Sequence, residues 1–381
     1  MKRVLVLEFI TTLGGVQSVY KNILPEIAEE NKVFFLNPYS SKDDLDIGRH
    51  PNIEVVSIPL NSPKALGWKQ GIGQKAAVLC KYGFRYLSYF FKLCAFVRQK
   101  KIQLVYVSGK KEFTFALLLK AVCGTPYLYH AHGFGKVEDI NWLTKLAIRH
   151  AEYVVCVSND VKTKIQHSGV DQDHVVVVNN GLHLATAEAK LSQAQTRSKE
   201  KEEDFTVVFA GVVQRQKGVH TLVQAVAALQ EQGCRIRLNV VGQCRDEAYL
   251  KELQAAAPQD AVLFCGFSEN IYDYFKAADL VVLPSYEESF GMVLLEAMYA
   301  QKPVVGSRIG GIPDIIVDGH TGYLFTCGDA TDLADKILLL YKDRDLGCQL
   351  GQNGFKRVCT VFSSHEQSEQ INALIRERKN K

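Results

Sequence analysis

The sequence predicts an α/β protein built from two doubly wound, Rossmann-like domains. Three observations carry that reading. The chain has 381 residues, more than one compact core usually holds. Short, near-continuous apolar runs alternate with helical patterns, as parallel strands do when helices cover both faces of their sheet. The pattern breaks at a polar stretch, residues 184–204 (LATAEAKLSQAQTRSKEKEED), and then restarts with TVVFAGVVQRQKGVHTLVQAV. An N-terminal domain over 1–183, a linker over 184–204 and a C-terminal domain over 205–360 follow. A helix within 361–381 is expected to pack back on the N-terminal domain. Ligand is expected in the cleft between the two sets of strand C-termini.

Taken in order, Val4 to Phe9 (VLVLEF) reads as a buried strand, followed by a glycine-bearing loop and a helix over Val16 to Glu30. Gly14 and Gly15 would let backbone approach a ligand closely; a plain tight turn is the other reading. KVFFLN and IEVVSIP are further strands, and Asp44-Leu-Asp46 between them reads as solvated charge rather than a metal-binding Asp-x-Asp. QLVYVSG, PYLYHAHG, EYVVCVSN and VVVVNNG supply four more, separated by helices such as FTFALLLKAV and NWLTKLAIRHA. Period-two alternation puts His130 and His132 on one strand face, with His132 at the C-terminal end where ligands gather. With no third ligand nearby, His132 reads as an unmetallated hydrogen-bonding group and His130 as structural.

One N-terminal segment is unusual. Between Glu54 and Glu112 there is no acidic residue, yet eleven Lys or Arg occur. Around Tyr82 to Val97 they interleave with Tyr86, Tyr89, Phe90, Phe91 and Phe96. Lys81, Arg85 and Lys92 make the run too charged to span a bilayer. The segment from Lys64 to Lys101 suits an anionic membrane interface; a core helix with a basic solvent face is the other reading. Gly71-Ile-Gly73-Gln-Lys-Ala76 matches a dinucleotide fingerprint by letters, but WKQ precedes it where a strand is required.

In the second half RIRLNVVG, AVLFCG, DLVVLPS and PVVGS supply strands between helices. The chemistry gathers in PSYEESFGMVLLEAM, Pro284 to Met298. A strand ends before it, a polar turn follows, and the helix begins at Phe290 or Gly291, because an earlier start would bury Gly291 inside the helix. Its first amides have no intrahelical partner and form an anion site framed by Glu288 in the turn and Glu296 in the second helical turn. Alternatively, Ser285 and Glu288 form a capping box. Arg215-Gln-Lys217-Gly218 precedes a further helix, and IGGIPDII, near Gly310-Gly311, is the third element. Two cations plus helix N-termini can neutralise a diphosphate without a metal, and a carboxylate such as Glu296 can accept both hydroxyls of a ribose.

Composition narrows the classes. A net charge of +4 is too small to imply nucleic acid, and 47% hydrophobic with 23% charged residues is ordinary for a globular protein. The ten cysteines include no C-x-x-C pair and read as reduced core residues, with little support for zinc. Met1-Lys-Arg runs directly into a strand-like segment, so a cytoplasmic protein without a signal peptide is expected, peripheral on the inner face of the cell membrane if the basic segment docks there.

Over nearly its whole length the chain resembles the retaining, group 1 glycosyltransferases of family four, which have the GT-B architecture. The motifs are Gly14-Gly15, His132-Gly133, VSNDV, Asn180-Gly181, Lys217-Gly218, PSYEESFGMVLLEAM, PVVGSRIGGIPDII and DGHTGYLF. The resemblance implies that Glu288 contacts donor-sugar hydroxyls and Glu296 the nucleotide ribose. Ser289, Phe290, Gly291, Met292 and Val293 would meet the diphosphate and sugar, together with Gly14 and Gly15. His132 would reach in from the acceptor domain, and Lys217 with Arg215 would hold the phosphates. The family commonly has Arg directly after the strand-ending glycine, where this chain has Val212; Arg215 would substitute. Glu288, His132, Lys217 and Arg215 are thus the expected catalytic set, with no metal cofactor. The implied donor is a nucleotide-diphosphate sugar, a UDP-hexose or UDP-N-acetylhexosamine. The implied acceptor is a glycan or lipid-linked molecule of cell-surface polysaccharide or glycolipid assembly. A sugar-nucleotide epimerase of the same architecture and a non-catalytic membrane-docked scaffold are the alternatives.

Overall fold

The computed structural model describes residues 1–9, 15–38, 47, 49–60, 72–134, 137–170, 173–195, 204–258 and 261–377. It divides the chain into two compact units. One comprises 1–157, 162–178 and 367–381, the other 158–161 and 179–366. Gly14, the Asp44–Asp46 loop and the stretch from Lys64 to Gly71 lie outside the described residues.

In the first part of the chain the elements run β1 (Arg3–Leu7), α1 (Gly15–Glu30), β2 (Lys32–Leu36), β3 (Ile53–Val56), α2 (Ile72–Gln99), β4 (Leu104–Val107) and α3 (Lys110–Cys123). They continue with β5 (Tyr127–Ala131), α4 (Trp142–His150), β6 (Tyr153–Cys156), α5 (Asn159–His167) and β7 (Val175–Val177). The seven strands pair in parallel in the order β3-β2-β1-β4-β5-β6-β7. Val4, Leu5, Val6 and Leu7 are all buried, because helices cover both faces of the central strand. On one face Val4 and Val6 pack with Tyr20, Ile23 and Ile27 of α1.

The second part runs α6 (Leu184–Gln193), β8 (Phe205–Ala210), α7 (Val219–Glu231), β9 (Ile236–Val241), α8 (Glu247–Ala256), β10 (Val262–Gly266), α9 (Tyr272–Ala277) and β11 (Leu280–Leu283). Then come α10 (Met292–Tyr299), β12 (Val304–Ser307), α11 (Ile312–Ile315), β13 (Tyr323–Phe325), α12 (Ala330–Lys342), α13 (Arg344–Val361) and α14 (Ser364–Arg376). Six strands pair in parallel in the order β10-β9-β8-β11-β12-β13. Both sheets reverse direction beside their first strand, between β1 and β4 and between β8 and β11, the doubly wound arrangement that leaves a binding crevice at the strand C-termini.

Two expectations need correction. Residues 184–204 are not a continuous linker: Leu184–Gln193 is the helix α6. Its Ala, Leu, Glu and Lys content favours a helix, the His183 side chain accepts from the Thr186 amide, and Ala187 is buried. Tyr299 Oη donates to Glu188 at 2.9 Å and Asn270 Nδ2 to the Lys190 carbonyl at 3.0 Å, so α6 is a packed part of the second unit. The cysteines, moreover, are not uniformly core residues. Among those described none forms a disulfide, but only Cys94 and Cys156 are buried and Cys348 is exposed.

From residue 367 onward the chain belongs to the first unit. Ile371 and Ile375 are buried in its core, Asn31 Nδ2 donates to Asn372 Oδ1 at 3.0 Å, and Arg376 pairs with Glu30 at 2.6 Å. Each buried isoleucine contributes roughly 1.5–3 kcal/mol.

Candidate active site

Three segments of the second unit are tied together at strand C-termini: residues 215–218 before α7, residues 284–291 before α10, and residues 309–311 before α11. The Tyr286 amide donates to the Gln216 carbonyl at 2.8 Å, and the Gly311 amide to the Glu288 carbonyl at 3.1 Å. Two glycines permit this. A Cβ on Gly218 would lie 1.9 Å from the Pro284 carbonyl oxygen, and one on Gly310 would lie 1.8 Å from that of Glu288. Both also adopt positive φ, 67° and 56°. The spacing Lys-Gly and Gly-Gly in the sequence is therefore a packing requirement of the Glu288 turn.

The result is an ion pair. Lys217 Nζ sits 2.7 Å from Glu288 Oε2, with the two side chains 22% and 14% exposed. Ser285 Oγ approaches the same carboxylate oxygen at 3.5 Å. The capping-box reading of Ser285 and Glu288 does not hold, because α10 begins at Met292, with Gly291 at its cap. At this start the amides of Met292 and Val293 lack intrahelical partners by helix geometry and carry the positive end of the dipole. Phe290 turns its side chain into the core, edge-on to Phe362 at 6.0 Å, so only its backbone is available to a ligand.

Glu296 lies on the second turn of α10, half-buried. Burial pushes its carboxyl up to about 7, and Lys190 on α6 opposes the shift. Arg215 is placed differently from Lys217. Its guanidinium makes a forked pair with Glu252, one arm at 3.2 Å, and lies over the Tyr249 ring at 4.7 Å. The structure therefore brings Lys217, Glu288 and the start of α10 together, and holds Arg215 on α8.

Some parts were not anticipated. The Tyr286 ring stacks on His220 at 5.3 Å, and its hydroxyl meets Thr221 Oγ1 at 3.0 Å, which anchors the Glu288 turn to the first turn of α7. At the ends of β8, β9 and β10 lies a cavity of about 650 Å³ lined by Val213, Gln243, Cys244, Leu250, Phe264 and Phe267. The signal for it in the sequence is the glycine that ends or follows each strand, Gly211, Gly242 and Gly266. Asn159, from VSNDV, donates its amide to Asp314 Oδ2 at 2.7 Å, which joins two of the recognised motifs.

In the first unit, Gly15 opens α1 and His132 follows β5. Burial holds His132 down at about 4, so the ring is neutral at physiological pH, and its Nε2 has no hydrogen-bond partner among the described residues. The His130 ring tilts against it at 4.2 Å and receives its own support from the Tyr106 hydroxyl at Nδ1. Glu8, at the end of β1, accepts from Ser108 Oγ at 2.7 Å, and burial pushes its carboxyl up to about 7. Among the described residues no group of three or more His, Cys, Asp or Glu is arranged to hold a metal ion, and no helix is long and apolar enough to cross a membrane.

Comparison with known proteins agrees with this architecture. Residues 192–357 match the family described as Glycosyl transferases group 1, and residues 13–186 match Glycosyltransferase Family 4. The capsular polysaccharide biosynthesis glycosyltransferase CapM of Staphylococcus aureus is 26% identical over 291 residues, 74% of this chain and 72% of its own. A D-inositol 3-phosphate glycosyltransferase of Pseudarthrobacter chlorophenolicus is 34% identical over 258 residues, 62% of this chain and 61% of its own, so that match spans less than two thirds of either protein. Among solved structures, Anabaena HepE in complex with UDP and glucose aligns with a TM-score of 0.77 and 21% identity, over 99% of this chain and 100% of its own. A glycosyltransferase from Rickettsia africae aligns at 0.80 and 17%, over 100% and 99%. At such identities these structures speak to the fold, which is GT-B. With one family model lying over the first Rossmann-like region and the other over the second, the chain belongs to the group 1 glycosyltransferases.

Proposed function

We propose that this protein is a retaining glycosyltransferase that moves a sugar from a UDP-hexose or UDP-N-acetylhexosamine to a glycan or lipid-linked acceptor of cell-surface polysaccharide or glycolipid assembly. The observation that carries the reading is the shielded Lys217–Glu288 pair beside the N-terminus of α10. An incoming diphosphate competes with Glu288 for the lysine. Once Lys217 transfers to phosphate, the Glu288 carboxylate is released toward the sugar hydroxyls, so donor binding assembles the site it needs. The cavity at the ends of β8 to β10 is the natural place for the base, and Glu296 accepts the ribose diol. UDP is favoured by the ligand named for HepE, and polysaccharide assembly by the name of CapM.

In the chemical step the bond from the anomeric carbon to the diphosphate oxygen breaks, and the acceptor oxygen attacks from the same face. The acceptor proton passes to the departing phosphate. Charge grows on that phosphate, which the transferred Lys217 and the α10 amides would face. Glu288 is assigned here to the sugar hydroxyls, so the reading is same-face attack rather than a glycosyl–Glu288 intermediate. His132, neutral, serves as a hydrogen-bonding group rather than a charge. The lysine and helix amides supply the positive field, and activity is expected to persist in excess EDTA.

The test is incubation with a panel of UDP-sugars and acceptors, with products resolved by mass and anomeric NMR. A glycoside of the donor's configuration is expected. Epimerised donor with no acceptor adduct under any condition would overturn the transferase reading.

A further inference from the structure

The structure points to a surface that the transfer chemistry does not use: the outward faces of α2 and α3. On α2, Leu93, Cys94 and Val97 are buried, as a core helix requires. The opposite stripe is also apolar. Phe84, Leu87 and Phe91 are 74%, 52% and 60% exposed, and they follow one another at helical spacing. On the neighbouring α3, Leu118 and Val122 are 42% and 49% exposed at i, i+4. Between the helices runs an apolar groove of about 430 Å³, lined by Tyr86, Leu87, Phe90, Phe115 and Leu118. Its floor is firm, because Tyr86 stacks on Phe115 at 6.3 Å and Tyr89 meets the same ring edge-on.

Charge chooses the occupant. Arg85, Lys92 and Arg98 stand on α2, and Lys111 and Lys120 on α3. The one carboxylate of the two helices, Glu112, is buried and accepts from the Phe9 amide at 2.7 Å. The surface is therefore apolar within a basic surround. Two copies of this chain meeting here by twofold symmetry would set lysine against lysine with no acid to answer them. A bilayer with anionic headgroups satisfies both parts, since headgroups meet the basic side chains while Phe84, Leu87 and Phe91 enter the acyl boundary.

We infer that α2 and α3 dock this protein on an anionic membrane, with a lipid chain held in the groove between them. The inference goes beyond the proposed transfer reaction and stands on different residues.

The test uses the full chain and vesicles of phosphatidylcholine with and without phosphatidylglycerol. Co-sedimentation should rise with phosphatidylglycerol and fall as salt shortens the Debye length to about 8 Å and below. Phe84→Ser, Leu87→Ser and Phe91→Ser together should weaken partitioning about tenfold or more. Lys92→Glu with Lys111→Glu should remove the dependence on phosphatidylglycerol. All five side chains are exposed, and unchanged circular dichroism would verify the fold. Wild-type protein that ignores anionic vesicles at low salt overturns the inference. So does a triple serine variant that binds as wild type, or a wild-type dimer in ultracentrifugation that the serine substitutions dissociate. UDP-sugar binding measured on the same samples separates the two conclusions. Donor binding without vesicle binding defeats the docking surface alone, and vesicle binding without transfer to any acceptor defeats the proposed reaction alone.

Discussion

Replacing Lys217 by alanine should damage turnover far more than donor affinity. In the free protein the lysine is held 2.7 Å from Glu288, and both side chains are largely shielded. Removing it leaves a 14% exposed carboxylate without its cation. A charged hydrogen bond is worth roughly 1.5–3 kcal/mol, less than the roughly 3–5 kcal/mol lost when a fully buried pair is broken. For a unit of this size that is a fall in Tm of about 3–12 °C. Donor binding then has two opposing terms. The diphosphate loses a cation, but it no longer has to draw that cation away from Glu288. The net change in Kd should stay within about tenfold. At the transition state no such offset exists, because leaving-group charge has grown, and about 2.7–4 kcal/mol should be missing, or roughly a hundredfold to a thousandfold in kcat. Steady-state kinetics, calorimetric donor titration and thermal melts on one preparation separate the terms. A variant with raised KM and unchanged kcat would refute the reasoning, since Lys217 would then bind ground and transition states alike. A melt identical to wild type would show that the ion pair contributes nothing to the free protein.

Arg215→Ala should lower kcat/KM much less than Lys217→Ala, because Arg215 is committed to Glu252 and Tyr249; equal losses in kinetic assays would put it on the phosphate after all. Gly310→Ala should cost more than about 1 kcal/mol in stability and depress turnover, since its Cβ would meet the Glu288 carbonyl oxygen at 1.8 Å; wild-type melting and activity would mean the turn is not pinned there. Glu8 supplies a pH signature. Its folded pKa, about 7, lies above its ordinary value of 4.5, so its contribution to stability is fullest below about 4.5 and is lost as pH rises through 7. Glu8→Gln should therefore gain on wild type between pH 5 and pH 8, by up to about 3 kcal/mol, in chemical denaturation at both pH values. A constant difference would mean the carboxyl is not desolvated.

Much of the fold was legible because parallel strands are buried on both faces, and runs such as Val4–Leu7 and Leu280–Leu283 leave little choice of assignment. The start of α10 was legible for a local reason, the cost of Gly291 inside a helix. Where the reading failed, the deciding contact was remote. LATAEAKL looks polar enough for a linker, yet Tyr299, over a hundred residues away, bonds to it at Glu188. For Arg215 the sequence shows no partner, whereas in the free protein Glu252, on a different helix, pairs with it. The strand β13 is only three residues long and carries too short a pattern to register. In α2 the sequence shows apolar residues around much of the helix, and nothing in it says which side meets the sheet.

The candidate site shows the same division between what side chains announce and what backbone decides. Lysine 217 and glutamate 288 can each be picked out by chemistry, and neither predicts that they touch across 71 positions. What joins them is the absence of two side chains. Gly218 lets the start of α7 press against the Pro284 carbonyl, and Gly310 lets the loop after β12 press against that of Glu288. With any Cβ at either place the Glu288 turn must move, and the lysine loses its partner. In the free protein that partner is a carboxylate, so the strongest cation of the site is already neutralised before donor arrives. A phosphate that reached the lysine without displacing Glu288 would find its charge half spent, whereas a diphosphate that also lies along the α10 amides gains two contacts for the one it breaks. On the proposed reading, the pairing is expected to favour ligands that span both features over simple phosphate.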